Sequence, residues 1–104
     1  MKIYETEYYN PKECVDLGTS IGMWLGPNSM ILTGRDGKSV SRLVRRAISV
    51  GITSTGVSIL DMRVAPKRIV SFQTWKHSMG GGLYVCCEGG RIQVHLLSSE
   101  GQSI

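Results

Sequence analysis

No stretch of this sequence approaches the ~20 consecutive apolar residues that a membrane-spanning helix requires. The polar start around Glu5, Thr6 and Glu7 also lacks the basic and apolar regions of a secretory signal. Both absences lead to the expectation of a cytoplasmic protein that does not meet a membrane. Cysteine is scarce: Cys14, Cys86 and Cys87 are odd in number, two are adjacent, and no Cys-x-x-Cys spacing occurs. A disulfide framework is therefore not expected. A structural zinc takes about four ligands, and the other soft candidates, His77 and His95, stand at no recognisable metal spacing from a cysteine. No metal or other cofactor is expected, and Cys86 and Cys87 read as small apolar residues of a buried strand. Neither histidine has a plausible serine or cysteine partner with an orienting acid, so there is no catalytic triad. Repeats, linkers and low-complexity tracts are missing too, which leaves one domain over residues 1–104.

What is present is the composition of a globular chain, 41% apolar and 19% charged, with enough apolar side chains to offset the entropy of ordering. A net charge of +4 and a pI near 9.2 favour contact with anions without choosing among sugar phosphates, nucleotides and nucleic acid.

Ile3 to Tyr9 reads as a strand or extended arm. Asn10 as cap, Pro11 at the first helical position and Glu13 at capping-box spacing then open a helix. Its apolar stripe is Cys14, Leu17, Ile21 and Trp24, and Gly26 with Pro27 ends it. Gly18 and Gly22 weaken such a helix unless something packs closely against them. Met30 to Thr33 forms a buried strand closed by Gly34. From Ser39 a second helix places Val40, Leu43, Val44, Ala47, Ile48 and Gly51 on one face and Arg42, Arg45 and Arg46 mostly on the other. Val57 to Leu60 gives a third strand, and Pro66 opens a helix expected to carry Ile69, Phe72 and Trp75 inward. Gly80, Gly81 and Gly82 read as a flexible connector before a strand from Leu83 to Cys87. After a turn at Glu88, Gly89 and Gly90, Ile92, Val94 and Leu96 alternate with polar residues as a hairpin partner would. The order implies an α/β, three-layer α/β/α single domain with a mostly parallel mixed sheet and an antiparallel C-terminal edge hairpin.

Gly34-Arg35-Asp36-Gly37-Lys38-Ser39, then Ser54-Thr55-Gly56-Val57, Leu60-Asp61, Pro66, the triple glycine and Ser99-Glu100-Gly101 stand in an order and spacing that resembles domain I of the phosphohexomutases. The similarity spans about residues 12 to 104. The resemblance implies a domain that is roughly a quarter of a full-length mutase, here standing alone. It also implies a phosphorylated serine, in a Thr-Ala-Ser-His-Asn-Pro loop, as phosphoryl donor. Here Glu88 occupies the serine position and the following loop is shortened, so no catalytic residue is carried over. The family's early Gly-Thr-Ser-Gly-Ile-Arg-Gly loop has no counterpart before Asn10, and Gly18-Thr19-Ser20 falls inside the first predicted helix. The magnesium-binding loop belongs to the family's later domains.

Arg35 and Lys38 follow one strand's C-terminal end, and Arg63, Lys67 and Arg68 follow the next, where open α/β sheets place ligands. With Glu88 they are the candidate ligand-binding residues, a phosphosugar being the ligand the resemblance suggests. Phosphoryl transfer needs a donor oxygen and a charge-neutralising cation as well as positioning groups. The chain supplies at most the last, which makes it a non-catalytic binding or assembly module, expected to form a homo-oligomer or to dock on another protein chain. A second reading is a component of a split phosphohexomutase whose other domains come from another chain. A third is an anion or nucleic-acid binder, against which stands the lack of any recognition-helix or RNA-binding motif beside Arg42, Arg45 and Arg46.

Overall fold

The computed structural model describes residues 1–102. Eight elements follow one another: β1 (Lys2–Thr6), α1 (Pro11–Leu25), β2 (Met30–Arg35), α2 (Ser39–Thr53), β3 (Ser58–Val64), α3 (Lys67–Lys76), β4 (Gly81–Glu88) and β5 (Arg91–Leu97). The start of α1 is built as its residues dictate. Asn10 is extended, its Oδ1 accepts the Glu13 N–H at 3.1 Å, and Pro11 follows at the first helical position.

The strands lie in the order β1-β5-β4-β2-β3. β2 runs parallel to β3 and β4, while β5 is antiparallel to both of its neighbours, β4 and β1. Four strands therefore point one way and β5 alone opposes them. The amino-terminal arm is the outermost strand on that side, so the β4–β5 hairpin lies inside the sheet and β1 covers it. Alternation along β2 separates the two layers of helix: Ile31 joins the cluster under α1 and α2, whereas Leu32 joins the one under α3.

Close approach of helices explains Gly18, Gly22 and Gly51. A Cβ on Gly18 would stand 2.0 Å from the Ile48 carbonyl oxygen, and one on Gly51 would stand 2.1 Å from that of Val15. α1 and α2 thus touch backbone to backbone. The contact turns α1 so that Cys14, Gly18, Ile21 and Gly22 are buried. Trp24, expected on the inner stripe, is 59% exposed, and Leu43 of α2 is also exposed.

Two further expectations change on the other layer. α3 buries Val70 and Thr74, not Ile69, Phe72 and Trp75, which are exposed. The reason lies in the sheet beneath. A Cβ on Gly34 of β2 would fall 2.4 Å from Val70 Cγ2, and one on Gly82 of β4 would fall 2.5 Å from Thr74 Oγ1. α3 sits over these bare positions, where only small side chains fit, and Thr74 satisfies its hydroxyl on the Val70 carbonyl at 2.7 Å. Accordingly Gly81 and Gly82 are buried strand residues rather than a flexible connector. Among the described residues, no helix is long and apolar enough to cross a membrane.

Candidate functional site

The carboxyl ends of β2 and β4 meet the start of α2, and Asp36 ties them together. Its Oδ2 accepts the Cys87 N–H at 2.8 Å and its Oδ1 accepts the Lys38 N–H at 3.1 Å. Burial pushes the carboxyl pKa up, but the Ser41 side chain, the two backbone donors and the Lys38 charge outweigh it and hold the value below the usual one. The Ser41 hydroxyl beside it is buried without a hydrogen bond of good geometry. Lys38 Nζ reaches across to donate to the Cys87 carbonyl. These contacts make the loop from Asp36 to Lys38 a clasp on the end of β4.

Glu88 closes β4 exposed, opposite Arg91 in register. Gly89 and Gly90 have φ of 58° and 78°, the left-handed pair that a two-residue hairpin turn of the right twist needs. Arg91 turns instead to the amino-terminal strand side, bonding Glu5 at 3.0 Å and Glu7 at 2.9 Å. No phosphorylatable hydroxyl lies in this turn. Burial first, then nearby carboxylates, raise the pKa of the Cys86 thiol, and burial with Glu13 pushes that of Cys14 to about 11. Both thiols are therefore protonated and unreactive at neutral pH.

The six candidate residues separate into three places. Lys38 and Glu88 stay at the β4 end. Lys67 lies on the α3 side, its Nζ 3.3 Å from His95 Nδ1, and His95 Nε2 is 3.2 Å from Gln93 Oε1. Burial and the Lys67 charge lower the His95 pKa, and a neutral ring protonated on Nε2 satisfies both partners. Arg68 is exposed on α3. Arg35 and Arg63 come together elsewhere, in a cleft of about 400 Å³ lined also by Arg42, Arg45, Arg46 and Asp61.

The arginines of α2, expected mostly on the face opposite its apolar residues, are thus half of a cavity wall. A bulge in β3 brings Arg63 there: the β2–β3 register shifts between Thr33 and Arg35, and Arg63 adopts φ 62°. Its N–H donates to Asp61 Oδ1 at 3.0 Å, which also accepts the Thr33 hydroxyl at 3.0 Å. The spacing of Arg42, Arg45 and Arg46 could have pointed to one stripe, but the bulge that adds Arg63 had no sequence signal. A resident metal does not fit these residues. Among those described, no three of His, Cys, Asp and Glu come together in a way that could hold one.

The fold and these ends of strands can be set beside known proteins. Residues 1–89 match the model for phosphoglucomutase/phosphomannomutase, alpha/beta/alpha domain I. The match begins earlier than the motifs indicated and ends in the Glu88-Gly89 turn, so Ser99-Glu100-Gly101 lies outside it. Phosphoglucosamine mutase of Francisella philomiragia is 26% identical over 91 residues, covering 82% of this chain and 20% of its own length. That of Francisella tularensis subsp. novicida is 25% identical with the same coverage. The chain thus spans about a fifth of the length of the curated relatives it matches. In shape it superposes on a phosphomannomutase-type structure from Thermus thermophilus with a TM-score of 0.82, at 17% identity, covering 92% of this chain and 23% of that one. A phosphoglucomutase/phosphomannomutase family protein from Burkholderia thailandensis gives 0.77 at 13% identity, with 92% and 24% covered. Matched over most of its length and in the order of its strands and helices, the chain belongs to the phosphoglucomutase/phosphomannomutase domain I family.

Proposed function

We propose that this chain is a phosphohexomutase domain I unit that binds and assembles but does not donate phosphoryl groups. The observation that carries the reading is the Glu88-Gly89-Gly90-Arg91 turn. At the end of β4, where the resemblance puts the phosphoserine, stand a carboxylate and two left-handed glycines. A carboxylate there brings negative charge without a hydroxyl to phosphorylate. The free cysteines Cys14, Cys86 and Cys87 suit the reducing cytoplasm in which we place it.

Incubation with hexose 1-phosphate and a hexose bisphosphate, followed by intact-mass spectrometry and product analysis, is expected to show an unmodified chain and no isomerised sugar. A phosphorylated side chain on this protein would overturn the reading.

Assembly follows from β3, the outer strand opposite β1. It is bonded on one side only, to β2, and leaves Leu60 and Val64 exposed at 46% and 58%. An unpaired strand edge with apolar side chains is a template for a second copy of itself. Sedimentation velocity at tens of micromolar is expected to show a dimer or larger species, and Leu60→Lys to shift it toward monomer. A wild-type monomer throughout that range refutes self-association through this edge.

A further inference from the structure

The arginine cleft lies apart from the β4–β5 turn, which contributes none of its lining. Its walls are Arg35 from the end of β2, Asp61 and Arg63 from β3, and Arg42, Arg45 and Arg46 from α2. One carboxylate against five guanidinium groups leaves four net positive charges around about 400 Å³. Asp61 is already committed to Arg45, at 3.5 Å. Among the described residues, Arg35, Arg42, Arg46 and Arg63 form no salt bridge.

Two of the groups, Arg45 and Arg35, are held in place by hydrogen bonds. Arg45 has a side chain only 14% exposed and donates from Nη1 to Ser49 Oγ at 3.2 Å. Arg35 donates from Nη1 to the Asp36 carbonyl at 3.1 Å. In both, Nε is buried with no hydrogen-bond partner, an unfavourable arrangement unless something accepts from it. Burial lowers the Arg45 pKa, Asp61 opposes that, and Arg35 and Arg46 lower it again. Like charges kept this close with a single carboxylate among them are relieved by an anion from outside.

We propose that this cleft binds a compact diphosphate, the anion whose charge and forked oxygen geometry match several guanidinium groups at once. Arginine pairs bidentately with phosphate. A monophosphate carries about two negative charges and leaves half of the cleft unmatched, whereas two linked phosphates approach its net charge. An extended polyanion would need a longer cationic groove than the six lining residues provide. The cleft shares no residue with the Glu88-Gly89-Gly90-Arg91 turn on which the phosphoryl-transfer reading rests, so pyrophosphate binding and phosphorylation fail or succeed separately.

The test is calorimetric titration with inorganic pyrophosphate at fixed ionic strength, with orthophosphate as comparison. Saturable one-to-one binding is expected, tighter for pyrophosphate. Arg63→Gly suits the left-handed backbone there, and Arg42→Ala with Arg46→Ala alters exposed side chains, so these variants keep the fold. Each should weaken pyrophosphate by about tenfold or more, the worth of a charge-assisted hydrogen bond. Lys12→Ala, an exposed cation on α1 paired with Asp16, should leave affinity unchanged. Absence of saturable binding by the folded chain overturns the proposal, as does an equal loss with Lys12→Ala or equal affinity for orthophosphate. An oligonucleotide that binds and is not displaced by pyrophosphate overturns it in favour of a nucleic-acid surface.

Discussion

Replacing Gly51 with alanine is expected to lower stability by about 3 kcal/mol, the upper part of the usual range for forcing atoms into a filled contact. For a chain of this size that is a fall in Tm of roughly 15 °C. The new methyl would meet the Val15 carbonyl oxygen at 2.1 Å and the Thr19 nitrogen at 2.6 Å. Both are backbone atoms of α1, so no side chain can rotate away and the helices must part. Their parting would loosen Val44, Ile48 and Ile52 against Cys14 and Ile21 in the larger core cluster. Gly18→Ala meets the Ile48 carbonyl from the other side and should cost about as much. Gly22→Ala is milder, because its nearest obstacle is the Thr55 hydroxyl, a side chain, at 2.1 Å. Gly37, with nothing within 4 Å and no left-handed φ, is the control. Alanine there should be neutral or stabilise by about 0.5 kcal/mol through the unfolded chain. Urea unfolding of the four variants checks the ranking, and a Gly51→Ala midpoint matching wild type would show that α1 and α2 are not in backbone contact.

The second large effect is at Asp36. Asp36→Ala strips acceptors from the N–H groups of both Cys87 and Lys38 and is expected to cost about 2 kcal/mol. Asp36→Asn keeps one carbonyl acceptor and should lose less. The same group gives the fold an acid limb. Its folded pKa lies below the ordinary 3.8, so the stabilisation is complete above the unfolded value and is lost as pH falls through the folded one. Wild type should therefore weaken more steeply than Asp36→Asn below about pH 4. Parallel stability curves for the two proteins in that range would remove Asp36 from the acid response.

Much of this fold is legible in the residues because local rules and tertiary packing agree there. Asn10, Pro11 and Glu13 open α1 by capping chemistry alone, and Ile92, Val94 and Leu96 face inward as their alternation requires. The misreadings cluster where a glycine on one element decides what its neighbour may bury. On α3 the large residues Phe72 and Trp75 outweigh Val70 and Thr74 in any hydrophobic pattern, yet Gly34 and Gly82 lie underneath and admit only the small pair. Nothing in the order of residues 67–76 carries that information. Asp61, Arg63 and the three α2 arginines are likewise visible one by one, but the β3 bulge is not, and the cleft exists only once β3 and α2 are side by side. At the β4 end, by contrast, the turn was written in Glu88-Gly89-Gly90 itself, since two adjacent left-handed residues are what glycines permit.

The pairing of β1 with β5 sets an order of events. The first of the five strands in the sequence takes the last as its neighbour, and the Met1 amino group bonds the Leu96 carbonyl across 95 residues of sequence. Such a contact closes the longest loop in the sheet and forms late, because the entropy of closing it must be met before any reward. Until β5 is in place, β4 has one open flank and β1 has no sheet to join, so the nascent chain exposes two unpaired strands at once. A chaperone, or a second nascent copy, would then meet these two strands in addition to the outer edge of β3, which stays open in the finished sheet.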